Sequence, residues 1–140
     1  MIGTLLGVGA AAAQSPPDFT GTWSFQSAPY DFARDGSAYA ALSGTAVIRR
    51  TSNNAYDIDL VAQEIAFVGA PGEVNHHFFG GARQLCRGQA VAQQLNITCT
   101  VVSANPGYSP DEFVVTAQAD GTLLGSFNNR QVETLFVRLD

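Results

Sequence analysis

From Phe19 onward, apolar and polar residues alternate at every second position in one short run after another, and most runs stop at a glycine, proline, asparagine or aspartate signal. Period two is the repeat of a pleated strand with one buried face, so a chain written this way is committed to β-structure. Phe19, Gly21, Trp23 and Phe25 share one face, with Thr20, Thr22 and Ser24 on the other. Residues 44–51 are strand-like, and Ser52-Asn53-Asn54 turns them into residues 55–63. There Tyr56, Ile58 and Leu60 face one way and Asp57 and Asp59 the other, the clearest hairpin in the chain.

The pattern continues. Residues 65–68 are apolar before Gly69-Ala70-Pro71-Gly72 interrupts them, and runs at 74–79 and 83–92 follow, with Gly80-Gly81 and Gly88 expected as bends or bulges. Residues 95–103 are rich in β-branched side chains, and Asn105-Pro106-Gly107 makes a turn. Runs at 113–118 and 122–127 flank Ala119-Asp120-Gly121, and Asn128-Asn129 leads into 133–139. Residues 27–42 show no clear period and contain Pro29 and Asp35-Gly36, so a flap or short helix at one end of the fold is expected there. Eight or nine short strands with no amphipathic helix predict an all-β fold. The expected form is an antiparallel up-and-down barrel of about eight strands, in which closure removes exposed sheet edges; a β-sandwich is the alternative.

The chain has 140 residues, enough for one core and too few for two. Residues 1–13 end in Ala11-Ala12-Ala13, small residues suited to signal-peptidase cleavage, although no basic residue precedes the apolar run. The expectation is a signal peptide at 1–13, a single domain at 14–140 and a periplasmic or secreted location. No later apolar stretch approaches the roughly 20 residues of a spanning helix. In an oxidising compartment Cys86 and Cys99 are expected to form a disulfide across neighbouring strands, worth roughly 3 kcal/mol in the chain-entropy model; a pair of buried thiols is the alternative.

Phe19-x-Gly21-Thr22-Trp23 near the start and Phe136-Val137-Arg138-Leu139 near the end resemble the calycin barrels, the lipocalins and avidin-like proteins. The resemblance implies that Gly21, Trp23 and Arg138 close one barrel end, the arginine stacking on the tryptophan and capping backbone carbonyls. The chain lacks the Thr-Asp-Tyr of those families. It also has a single tryptophan, so a biotin site of the avidin type is not implied.

The chemistry-bearing residues are sparse. The formal charge is −5, and all seven basic residues are arginines without a cluster, which disfavours nucleic acid and anionic membrane surfaces. Without a lysine there is no phosphate-binding loop of the usual kind, and no Gly-x-Ser-x-Gly elbow is present. His76 and His77 are adjacent and would point to opposite faces of a strand, so they do not chelate one ion. Asp57 and Asp59 share a face about 6.6 Å apart, the spacing of a surface pair more often than of a catalytic one. Asn96-Ile97-Thr98 matches a glycosylation acceptor but falls within an expected strand.

The expectation is therefore a binding module, with no enzyme activity, cofactor or metal. A small apolar ligand would sit in the barrel interior, with Tyr30, Phe32 and Tyr39 at the mouth and Tyr56, Ile58 and Phe67 lining the inside. The alternative is an exported protein-interaction module such as an inhibitor of a lysozyme-like cell-wall hydrolase, a basic partner that an acidic surface would steer. A filled barrel of purely structural duty is the third reading.

Overall fold

The computed structural model describes residues 17–31, 38–68, 75–128 and 132–140, with residues 68 and 75–79 described by backbone alone. The expected leader at 1–13 and Phe32 lie outside the described residues. Nine strands follow in order: β1 (Gly21–Ser27), β2 (Tyr30–Asp31), β3 (Ala38–Arg50), β4 (Ala55–Val68), β5 (Asn75–Val91), β6 (Gln94–Ala104), β7 (Glu112–Ala117), β8 (Leu123–Phe127) and β9 (Thr134–Arg138). From β2 through β9 each pairs antiparallel with its sequence neighbour, and β1 pairs with both β9 and β3. The result is a closed eight-stranded antiparallel barrel, with β2 as one extra strand beside β3. No described residue is helical.

In the segment expected as a flap or short helix, Ser27, Tyr30, Asp31 and residues 38–42 are strand, and none of its described residues is helical. Gln26 pairs with Ser43 and Tyr30 with Ala40, so three residues on the β1–β2 side oppose two on β3. Ala28 and Pro29 sit in that bulge, where a residue without an N–H costs no ladder bond. β2 thus carries the line of β1 onward, and β3 begins at Ala38, six residues before the alternation becomes plain.

The two expected runs at 74–79 and 83–92 are one strand, β5. Its ladder with β4 shifts register between Glu64↔Gly80 and Ile65↔Phe78, which leaves Phe79 as the extra residue beside Gly80. No register shift occurs at Gly88, so of the bend or bulge expected there the bulge is absent. A Cβ at that position would stand 3.0 Å from Leu95 Cδ1 and 3.2 Å from Ile58 Cδ1, so Gly88 makes room for core side chains instead.

An eight-stranded barrel is just wide enough for its own side chains to fill. Trp23, Phe25, Ile48, Tyr56, Ile58, Leu60, Leu95, Ile97, Phe113 and Phe136 are all buried in one continuous cluster. Cys86 and Cys99 oppose each other on β5 and β6 and form a disulfide inside that cluster. The barrel has unlike ends. Short turns at 51–54, 92–93 and 118–122, with the lead-in before β1, meet at one end. The 105–111 connection lies at the other.

Candidate functional site

The end with the short turns is stoppered. Trp23 is 1% exposed, and its indole N–H donates to the Phe19 carbonyl at 3.0 Å. The Arg138 guanidinium lies 4.2 Å over the ring, donates to the Asp18 carbonyl at 3.1 Å and also reaches the Thr20 carbonyl. Gly21 has φ 145°, and a Cβ there would collide with Arg138 Nη1, so the glycine lets the guanidinium close down. The Tyr56 hydroxyl accepts from Arg50 Nη2 at 2.9 Å and from the Phe19 N–H at 3.4 Å. The Asp18 carboxyl is held below the usual carboxylate range by hydrogen bonds from the Thr20 N–H and hydroxyl, with help from Arg50 and Arg138.

Above this stopper the interior is aromatic. Phe136 stacks on Phe25 at 5.1 Å, and Phe113 meets Phe25 and Phe136 edge-on at 5.3 and 5.5 Å. Phe113 also neighbours Phe127, which touches the Tyr30 ring at 5.4 Å. The column runs from the closed end to the mouth.

At the mouth the core turns polar. Gln84 is fully buried on the inner face of β5, and its side chain clasps Asp111: Nε2 donates to Oδ2 at 2.7 Å while Oε1 accepts from the Asp111 N–H at 2.9 Å. Tyr108 OH donates to the same carboxylate at 2.9 Å, and Asn128 Nδ2 donates to its other oxygen at 2.9 Å. Asn128 Oδ1 in turn accepts from the Glu112 N–H. Asp111 is only 3% exposed, so these donors replace its lost water. Together they pin the 105–111 connection to the barrel rim. Beside this network the Tyr30 hydroxyl donates to Glu64 on the inner face of β4. Burial pushes the Tyr108 phenol well above its ordinary value, and the negative charges of Asp111 and Glu64 push it further.

Between the 105–109 turn and the rim lies a cavity of about 370 Å³, lined by Leu42, Phe127, Glu64, Gly80, Tyr108, Asp111 and Asn128. That is the lower range of small-molecule sites. Of the expected ligand residues, Tyr30 stands at this mouth through Glu64 and Phe127. Tyr39 and Phe67 are cross-strand partners whose rings stack at 5.1 Å, and Tyr39 is 46% exposed. Tyr30 and Tyr39 also share a more open groove with Pro29, Asp31 and Val132. Tyr56 and Ile58 are not with them: they are 1% and 2% exposed in the packed core towards the stoppered end.

Asp59 makes a surface ion pair with Arg83, Oδ2 to Nη2 at 3.1 Å, and that partner lowers its carboxyl. Asp57 is exposed and lies between Arg49 and Arg87 in register. His76 and His77 take adjacent β5 positions opposite Phe67 and Ala66. Among the described residues no group of three or more His, Cys, Asp or Glu is placed to hold a metal ion, and no helix is long and apolar enough to cross a membrane.

Sequence reasoning passed over Gln84, Glu64 and Asp111. A signal existed for the first two, since each is a polar residue at a position whose alternation partners, Ala82 and Cys86 or Leu60 and Ala62, face the core. No protein-family model matches the chain, and neither the curated proteins nor the solved structures contain a match.

Proposed function

We propose that this chain is an exported, calycin-like barrel that binds a small molecule at its mouth. The observation that carries the reading is the cavity of about 370 Å³ at the one barrel end where packing stops and convergent polar groups begin. The interior around Tyr56 and Ile58 is packed with buried side chains, which favours the mouth over the deep apolar site that barrels of this size can enclose. Leu42 and Phe127 offer an apolar floor, while Glu64, Tyr108, Asp111 and Asn128 set orientation. The calycin reading is supported by the Arg138–Trp23 stack above Gly21, which does structural work at the far end from the cavity. Binding is favoured over catalysis because the tyrosines are tied to carboxylates and no nucleophile–base pair faces the cavity among the described residues.

Native mass spectrometry of protein purified from its own host tests the reading. An added small-molecule mass, lost on denaturation, is expected. A clean apo mass that stays unchanged with apolar, cationic and anionic probes would sink it. The same spectrum tests export, for which the expected species begins at Gln14.

A second reading, docking to a protein, is favoured by an outer groove in which Leu124, Leu135 and Val137 line one side and Gln26, Ser43 and Thr45 another. Inhibition of a basic lysozyme-like hydrolase that weakens with added salt is the expected outcome. No inhibition and no captured hydrolase would end that reading.

A further inference from the structure

We infer that the mouth takes a small organic cation, an amine or ammonium group carried on a short apolar body; this rests on reading the mouth as the binding site. Two carboxylates, Glu64 and Asp111, line one cavity, and no arginine of the described residues lines it with them. The five described arginines are engaged or displayed elsewhere. Arg50 and Arg138 serve the stoppered end, Arg83 holds Asp59, and Arg49 and Arg87 are exposed on the outer face.

Asp111 is therefore a nearly buried charge whose hydrogen-bond partners, Gln84, Tyr108 and Asn128, are all neutral. Glu64 is met by a phenol. Hydrogen bonds spread such a charge but do not cancel it, and buried charges in proteins are ordinarily paired or bound to a cation. Tyr108, on the same lining, has its phenol raised first by burial, then by Asp111, and further by Glu64 and Tyr30. An ammonium group placed between those two carboxylates would meet their charge with the opposite sign.

The rest of the lining fits an organic cation better than a bare metal ion. Phe127 and Tyr108 border the cavity, with Tyr30 against Phe127, and aromatic rings attract ammonium groups through their negative faces. Leu42 adds apolar surface for the body of the ligand. A hard divalent ion asks for six or more oxygen ligands, and no cluster of three acidic or His/Cys groups exists among the described residues.

The test uses the whole protein, isotope-labelled, titrated with three probes of one size: benzylammonium, benzyl alcohol and benzoate. Amide shifts report the site, and calorimetry the affinity. Benzylammonium is expected to move the amides of residues 105–111 and 127–128 and to bind at least about tenfold more tightly than the other two, the effect of one charge-assisted contact. Its affinity should fall with added salt, whereas that of benzyl alcohol should not. Glu64→Gln should remove most of the preference, and Glu64→Asp, which keeps the charge, should retain it. The salt series stands even if a variant fails to fold. Equal or tighter binding of benzyl alcohol or benzoate at those amides would overturn the cation and leave the mouth as a binding site. No shift there with any probe would overturn both.

Discussion

Gln84 occupies an inward position of β5 between Ala82 and Cys86, so its amide has no water and must be satisfied within the protein. It meets Asp111 through both ends of the amide, binding a carboxylate oxygen and the backbone N–H together. Replacing it with leucine keeps the volume but strips both bonds, leaving a buried charge short of a donor. Gln84→Leu is expected to cost about 2–4 kcal/mol, the upper part of the range for unsatisfied groups near a charge. Chemical denaturation would measure it, and a loss under about 0.5 kcal/mol would show that the clasp does not hold the 105–111 connection. Tyr108 gives a pH dependence at the same place. Its phenol is raised above the ordinary 10.0 by burial first, so the unfolded chain releases this proton before the folded one does. The contribution to stability is complete below pH 10 and is lost as pH rises beyond it. Wild type should therefore lose stability above about pH 10 more steeply than Tyr108→Phe, and matching slopes in the two proteins would refute the assignment.

At the scale of elements, β3 is flanked by β1 and β4, with Gly44 opposite Phe25 on one side and Ala62 on the other. A Cβ on Gly44 would overlap the Val61 carbonyl and come within 2.8 Å of Phe25 Cζ. Backbone cannot yield as a side-chain tip can. Gly44→Ala is thus expected to destabilise by about 2–3 kcal/mol through overpacking, lowering Tm by several degrees. Gly107 is the control: a Cβ there meets nothing within 4 Å, so only its φ of 85° opposes alanine, at about 1 kcal/mol. Calorimetry on both variants would test the order, and a larger loss at Gly107 would reverse the argument. These elements also show what was legible beforehand. Alternation placed Tyr56, Ile58 and Leu60 on the buried face of β4 because period two is a local property. The β1–β2 bulge was not legible, because Pro29 breaks the period on one strand while β3 supplies the partner from ten or more residues away. The mouth was less legible still. Gln84 and Asp111 are 27 residues apart in sequence, and only the pairing of β5 with β6 and the return at 105–111 bring them together.

For the whole molecule, every strand pair joins strands consecutive in the chain except β1–β3, which β2 separates, and β1–β9. β1 and β9 pair from opposite ends of the chain, Trp23 opposite Arg138 and Ser27 opposite Thr134. That pairing converts an open meander into a barrel, and the same strand supplies the Arg138 cover of Trp23 and the buried Phe136. Removing residues 134–140 would therefore do more than delete five ladder residues. It would uncover Trp23 and Phe25 and leave β1 and β8 with unpaired edges, which recruit other chains. The Cys86–Cys99 disulfide does not compensate, because it ties β5 to β6, a pair that is already adjacent in the meander. The truncated chain is expected to form dimers or larger aggregates, with tryptophan emission shifted to the red of the intact protein. Light scattering with size exclusion, and fluorescence on the same fractions, would follow both. A truncated chain that stays monomeric with a buried tryptophan would mean the sheet can close without β9, and barrel closure would then lie elsewhere in the fold.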